Sequence, residues 1–374
     1  VPEAPSIESL LFRVEHFAAA VGGAEGFAVG LVRRLTARGV RVTVVCRTCT
    51  GEFPGVTVVP QRPGADNNAL HADVTVDWGL ACEADLHRLG GGVHRAFLGR
   101  NLMSEKTAVH RLVKRLVAFG PRQQRTIRRE DRLLRDPRTH VLCVSGFVRD
   151  QALFHYPRIS DRAHVLRNGV DTQRFVPLPA EERVAVRRRL GVPEEAFAAL
   201  FSAHNLKLKN FDLVYRLFSE LNRSGTRAFL CVMGKREPRP RAPWLLYLGR
   251  RSDPERACAA VDCLVHPTYY DACSNVVLEA MACGVPALSS NQNGSAELIE
   301  HGRSGFVLPV TGRNHEQAWS VVLRRLLETP AWARRLGVRA RAVAEQHDLD
   351  AYAEGFLELC REVRQAVPRR GGES

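Results

Sequence analysis

The chain has 374 residues, 45% of them apolar, and a formal net charge of +14. Its length is too great for one ordinary core and predicts two domains of roughly 150–200 residues each. No run reaches the ~18–20 uninterrupted apolar residues of a membrane span, no basic-then-apolar leader opens the sequence, and ten scattered cysteines fit reduced thiols better than a disulfide framework.

In chain order, a first strand is read at Leu10-Leu-Phe12 and Val14, cut short by Glu15-His16. Gly22-Gly23 precede Phe27, Val29, Leu31, Val32 and Leu35 at helical spacing, and residues 40–46 follow as a parallel strand. Strand, Gly-rich turn, helix and strand make one Rossmann-like unit, whose glycine pair lets backbone approach a phosphate at the helix start. Cys46 and Cys49 form a lone C-x-x-C with no second pair at metal spacing. Residues 73–77 read as a further strand. The run Gly90-Gly-Gly-Val-His94-Arg95 predicts irregular backbone that presents side chains to a cleft. The positive charge is concentrated next: between Arg100 and Arg138 twelve Lys or Arg stand against four acids. Within 106–135, Val109, Leu112, Val113, Leu116 and Val117, then Ile127, Leu133 and Leu134, predict two amphipathic helices broken at Gly120-Pro121. Their basic face suits solvent, anionic lipid or a phosphorylated acceptor. A strand at 141–145 and a helix at 147–156 complete this half.

Asn168-Gly-Val-Asp171 reads as a tight turn stiffened by Pro177 and Pro179. The boundary is placed there, giving domains 1–165 and 166–345 and a closing helix in 346–374. The second half alternates again: helix 180–190, strand 198–202, the loop Lys207-Leu-Lys209-Asn210, a helix from Asp212, strand 228–233 closed by Gly234, and strands 245–248 and 261–265. After these comes Asp271-Ala-Cys-Ser-Asn-Val-Val-Leu-Glu279, a loop entering a short helix that Gly284 and Pro286 close. Ser274 is read as the N-cap, which would leave the N–H groups of residues 274–277 to an anion such as phosphate. Ser274 to Glu279 rises roughly 7–8 Å along the helix. Asp271 and Glu279 could therefore hold hydroxyls at the two ends of an extended ligand with phosphates between them, the layout of a sugar nucleotide. A strand at 285–288 and helices at 314–327, 330–346 and 349–367 end the chain.

The stretch from Pro267 to Pro286 has an acid, seven residues, a Glu, then Ala-x-Ala-x-Gly-x-Pro. It resembles the donor-binding signature of retaining GT-B glycosyltransferases of the glycosyltransferase 4 (group 1) type, with Asp271 where most relatives have Glu. Asn168-Gly-Val-Asp171, Asn293-Gly-Ser-Ala-Glu297 and Gly302-Arg-Ser-Gly305 are similar to further family elements. The Gly90–His94 run looks like the acceptor-side loop of bacterial lipopolysaccharide-core glucosyltransferases, with Gly91 where some relatives carry an acid. The resemblance implies an α/β fold of two Rossmann-like domains facing each other across a cleft. The first would be the acceptor side, the second would bind nucleotide sugar, and the last helix would pack back on the first domain. It implies transfer of a hexose, glucose from UDP, with retention, to a glycolipid or lipopolysaccharide-core saccharide. It implies no metal or other cofactor, no nucleic-acid partner, and a cytoplasmic enzyme peripheral on an anionic inner membrane face.

The residues this implies for catalysis are His94, Lys209 and Asp271. Those for the donor are Gly22, Gly23, Lys207, Lys209, Gly234, Asp271, Ser274, Asn275, Val276 and Glu279. Lys209, helped by Lys207, would neutralise the diphosphate, Gly234 would lie by the base, Glu279 would hold ribose and Asp271 the sugar. Asn210 stands where relatives have Gly. Two alternatives stay open: a sugar-nucleotide epimerase of the same fold, and a basic lipid-binding scaffold with a decayed site. A nicotinamide dehydrogenase is disfavoured because Gly22-Gly23 does not make G-x-G-x-x-G.

Overall fold

The computed structural model describes residues 6–18, 23–61, 70–79, 82–105 and 107–367. The chain divides into two units, Val1–Phe97 with Leu116–Asn168 and Leu349–Ser374, and Leu98–Arg115 with Gly169–Asp348. Among the described residues no helix is long and apolar enough to cross a membrane. All ten cysteines are free thiols.

The strands of the first unit are β1 (Ser9–Ala18), β2 (Arg41–Thr50), β3 (Val56–Pro60), β4 (Val74–Asp77), β5 (Leu86–Leu89), β6 (His140–Cys143) and β7 (Ala163–Val165). They make a parallel sheet in the order β3-β2-β1-β4-β5-β6-β7. Helices α1 (Ala24–Ala37), α4 (Pro121–Arg135) and α5 (Gly146–His155) alternate with them, while α2 (His94–Asn101) and α3 (Ala108–Ala118) each divide between the two units. A parallel sheet covered on both faces needs near-continuous apolar strands, and Leu10, Leu11, Phe12 and Val14 are accordingly buried. The expected interruption of β1 at Glu15-His16 does not occur. Glu15 pairs with Arg47 at 3.0 Å and His16 Nδ1 lies 2.7 Å from Thr48 Oγ1, both partners on β2. Cross-strand polar pairs of this kind carry a ladder past the end of its apolar run.

The chain's last helix, α12 (Leu349–Ala366), belongs to this unit. Its Phe356 stacks on Phe12 with ring centroids 5.8 Å apart, and its Tyr352 meets the ring of Phe27 edge-on at 4.9 Å. The guanidinium of buried Arg88 lies 4.2 Å from the Trp78 ring centroid and donates to Asn168 Oδ1 at 2.7 Å. Aromatic stacking and a charge-assisted hydrogen bond together compensate that buried cation.

The second unit repeats the plan. Its strands are β8 (Phe197–Ser202), β9 (Ala228–Met233), β10 (Leu245–Gly249), β11 (Cys263–His266), β12 (Ala287–Ser290) and β13 (Gly305–Leu308), paired in parallel as β10-β9-β8-β11-β12-β13. Its helices are α6 (Ala180–Leu190), α7 (Phe211–Arg223), α8 (Pro254–Ala260), α9 (Asn275–Ala282), α10 (His315–Glu328) and α11 (Pro330–Glu345). Each sheet winds outward from a central strand and restarts on its other side, at β1/β4 and at β8/β11. The crevice outside the carboxyl ends of such a pair is where open α/β sheets hold ligands.

Candidate functional site

At the carboxyl ends of β8 and β11 two loops are tied together. The Leu208 carbonyl accepts the Tyr269 N–H at 2.9 Å and the Thr268 hydroxyl at 3.3 Å. Within the first loop Asn205 accepts twice, at its carbonyl from Lys209 N–H (3.0 Å) and at Oδ1 from Leu208 N–H (3.2 Å). Asn210 then turns the chain into α7 with φ 59° and ψ 47°. Those angles are left-handed, which Asn tolerates better than most residues, so the position expected to be Gly keeps a Gly-like backbone.

This loop sets Lys209 Nζ on Asp271 Oδ2 as an ion pair whose side chains are only 16% and 20% exposed. Asp271 is held by its backbone, donating to the Gln292 carbonyl and accepting from Gly294 N–H, each at 3.0 Å. Burial alone would raise its carboxyl, but Lys209 and then His266 outweigh that and hold it below the usual carboxylate range. His266, to which the sequence assigned no role, is buried at the end of β11 with Nε2 3.5 Å from Asp271 Oδ2. Its other ring nitrogen, Nδ1, has no hydrogen-bond partner among the described residues. Burial first and Lys209 second lower its pKa, so the ring is a neutral imidazole at pH 7. Lys209 and Asp271 thus present a cationic point donor beside a fixed acceptor, chemistry suited to a phosphate oxygen and to hydroxyls.

Ser274 occupies the N-cap position of α9, yet its side chain makes no capping bond. Its N–H, expected to be open to an anion, donates to Asn293 Oδ1 at 3.2 Å, and the Val277 N–H returns to the Ser274 carbonyl at 3.3 Å. The expectation of four open amides is corrected: those of Ser274 and Val277 are engaged within the fold, and Asn275 and Val276 between them are half-buried. Asn293 is the residue the sequence reading missed. It is buried, accepts from Ser274 N–H and Ser295 N–H, and donates to Ser289 Oγ at 2.9 Å. The available signal was its place at the head of the Asn293–Glu297 element.

Glu279 is half-buried on α9. Burial pushes its pKa up to about 7, with Arg174 opposing and Glu255 reinforcing the rise. Lys207 does not join Lys209: it is 69% exposed and pairs with Glu105 at 3.3 Å, a carboxylate that also holds Lys114 at 3.0 Å. Gly234 must be glycine for a packing reason, since a Cβ there would come 2.1 Å from the Ala203 carbonyl oxygen.

In the first unit, Gly22 lies outside the described residues. Gly23 caps α1 with φ 78° and ψ −137°, a region essentially reserved for glycine. His94 opens α2. Its N–H donates to Glu130 Oε2 at 2.8 Å and its Nε2 lies 2.7 Å from Gln123 Oε1, so α4 of the same unit holds it. The three residues before the glycine run belong to a fully buried strand, β5, so the irregular backbone is confined to the turn at Gly90–Gly92. Glu130 was also missed, although it sits on the apolar stripe of α4 with Ile127, Leu133 and Leu134. The one Asp-x-Asp, Asp348-Leu-Asp350, is committed elsewhere: Asp350 pairs with Arg34 at 3.2 Å and Arg38 at 3.0 Å. Among the described residues no three His, Cys, Asp or Glu gather as metal ligands.

Residues 182–343 match the family described as glycosyl transferases group 1. The chain is similar to the D-inositol 3-phosphate glycosyltransferase of Streptomyces scabiei, 26% identical over 90% of this chain and 86% of the relative. The enzyme of that name from Thermobifida fusca is 25% identical over 93% and 91%. Among solved structures it resembles WaaG, a glycosyltransferase involved in lipopolysaccharide biosynthesis (TM-score 0.77, 20% identity, 94% of this chain and 99% of that one). It also resembles HepE of Anabaena in complex with UDP-glucose (TM-score 0.65, 18% identity, 94% and 98%). These likenesses identify the fold as GT-B.

Proposed function

We propose that this chain, a glycosyltransferase with a group 1 domain over residues 182–343, transfers glucose from UDP-glucose with retention of configuration to a membrane-borne saccharide of the glycolipid or lipopolysaccharide-core kind. The observation that carries the reading is the Lys209–Asp271 pair at the β8/β11 switch point, where this fold class binds ligands. Lys209 stabilises charge developing on the departing diphosphate, and the amides at the start of α9 add their dipoles. Asp271, shorter by one methylene than Glu, takes hydroxyls of the transferred sugar, and Glu279 takes those of the ribose. Gly23 and His94 are assigned to the same reaction on their resemblance to family residues.

The choice of UDP-glucose is supported by the likeness to HepE, whose structure holds that compound, and the choice of acceptor by the likeness to WaaG. The membrane is supported by α3. Its Val109, Leu112, Val113, Leu116 and Val117 form one face and are all exposed, Val109 by 70% and Leu116 by 64%. Arg111, Lys114 and Arg115 lie on the same helix. An exposed apolar stripe flanked by cations is the pattern of a helix lying in an anionic interface.

The test is a panel of UDP-, GDP- and ADP-sugars offered to the full chain, with product release followed for each. Selective consumption of UDP-glucose that depends on an added saccharide acceptor is the expected result. Conversion of the donor to an epimer, or consumption of none of the panel, defeats the reading.

A further inference from the structure

The second unit holds a cavity of about 480 Å³ away from the Lys209–Asp271 pair, lined by Gly302, Arg303, Trp332, Arg335, Leu336 and Arg339. Its place follows from the topology. The strands of this unit pair in parallel, and residues 302–304 lead into the start of β13. The cavity therefore lies toward the amino end of the sheet, whereas Lys209 and Asp271 follow the carboxyl ends of β8 and β11. Its volume falls within the range of small-molecule pockets, roughly 300–1,000 Å³.

Most of the lining comes from one face of α11. Arg335, Leu336 and Arg339 stand three, four and seven residues beyond Trp332, the spacing of a single helical stripe. Leu336 is buried and Trp332 half-buried. The Trp332 ring packs against Phe306 of β13 with centroids 5.6 Å apart, and the Arg325 guanidinium of α10 lies 4.3 Å from its centroid. An aromatic group held in this way is ordered before a ligand arrives, which lowers the entropic cost of binding. The turn carrying Arg303 is fixed as well. Gly302, at φ 76°, donates its N–H to the Gly305 carbonyl at 2.8 Å, and the Arg303 N–H donates to the Glu300 carbonyl at 2.9 Å.

The charge is one-sided. Three of the six lining residues are Arg and none is acidic. Glu300 is close enough to feel the charge of Arg303, but Arg339 takes both of its carboxylate oxygens, each at 2.7 Å. Arg335 is exposed, and its side chain has no hydrogen-bond or ion-pair partner among the described residues. Planar guanidinium groups beside a fixed indole suit a ligand with a phosphate at one end and a flat ring at the other.

We propose that this cavity is a nucleotide-binding site separate from the donor crevice, taking a nucleoside phosphate with Arg335 and Arg303 on the phosphate and Trp332 on the base. None of its residues belongs to the donor site proposed above, so it stands independently of that reading.

Calorimetric titration of the full chain with AMP, CMP, GMP and UMP, their parent nucleosides, ribose 5-phosphate and inorganic phosphate tests it. At least one nucleotide should bind about fivefold or more tightly than ribose 5-phosphate, the lower end of what stacking one base contributes. It should bind about tenfold more tightly than its own nucleoside, the increment of a charge-assisted hydrogen bond. Arg335→Glu, at an exposed position, should remove the second advantage and leave turnover of the sugar nucleotide unchanged. Trp332→Ala should remove the first, and Trp332→Phe, which keeps an aromatic ring beside Phe306, should retain part of it. Lys209→Ala should bind the nucleotide as the parent does, so failure of the donor reading and failure of this proposal give different results. Binding by none of the nucleotides, a phosphate advantage that survives Arg335→Glu, loss of binding in Lys209→Ala, or ribose 5-phosphate or inorganic phosphate binding as tightly as the nucleotides overturns the proposal.

Discussion

The Lys209 ammonium rests on the Asp271 carboxylate, each carried by a loop that the Leu208 carbonyl ties to the other. On the proposed reading the pairing makes two roles interdependent, because a diphosphate drawn to Lys209 would arrive beside an acceptor already oriented for sugar hydroxyls. Lys209→Ala should lower turnover by about a hundredfold or more, as loss of a preorganised electrostatic group does. It should also cost about 1–3 kcal/mol of stability by leaving Asp271 unpaired. Near-normal turnover in a folded variant would falsify the assignment; initial rates and thermal unfolding together check it.

Glu279 supplies a pH dependence. Its folded-state pKa is about 7, and the unfolded chain's is ~4.3. The folded protein therefore holds this proton more tightly, so its contribution is fully present below pH ~4.3 and is lost as pH rises to about 7. Glu279→Gln should match the parent in denaturant at pH 4 and exceed it at pH 8 by about 1–3 kcal/mol. The same variant should bind the donor about tenfold more weakly, since it gives up a carboxylate acceptor. Equal stability differences at the two pH values would contradict the burial argument.

Asn293→Ala deletes the acceptor used by two backbone amides and the donor to Ser289. A loss of about 2–3 kcal/mol is expected for buried groups left unsatisfied. Donor affinity should fall with it, because the same side chain positions Ser274 at the start of α9. Asn293→Asp, which keeps both acceptor bonds, should lie between the two. Calorimetric unfolding and donor titration of the three proteins give that order or refute it.

Asn210→Gly should remain within about 1 kcal/mol of the parent and keep its activity, since the residue already sits in left-handed backbone. Asn210→Val should lose more than that, because a β-branched side chain resists positive φ. A Gly variant less stable than the Val variant would show that the amide, not the backbone, matters here.

On α3, Leu112→Asp with Leu116→Asp should abolish co-sedimentation with phosphatidylglycerol vesicles and leave turnover on a soluble acceptor intact. Unchanged sedimentation in the double variant would remove the membrane role from this helix.

Elements with a long apolar period were legible in the sequence. α6 falls at 180–190 as expected, and α10, α11 and α12 fall within a residue or two of their expected limits. β3, β5, β13 and α8 were not. Each is four to seven residues long, too short for periodicity to distinguish strand from helix. β5 also carries His87 and Arg88 into the interior, where Asp77, Trp78 and Asn168 compensate them. Only folded neighbours make that burial permissible. The same holds for the site. Lys209 and Asp271 could be named from spacing, but His266, Asn293 and Glu130 act through partners 5 to 36 residues distant in sequence, and no local pattern announces them.

The first unit also has a history written into its connectivity. Leu349, Tyr352, Phe356 and Val363 of α12 are buried in the same core as Phe12, Phe27 and Trp78, although more than 250 residues separate the two groups along the chain. As the protein emerges from the ribosome, β1 to β7 must wait with one flank of that core uncovered while the whole of the second unit is made. The second unit needs nothing from α12 to close its own sheet. The half translated later is thus the one able to finish folding first, and β1 stays uncovered until α12 is made.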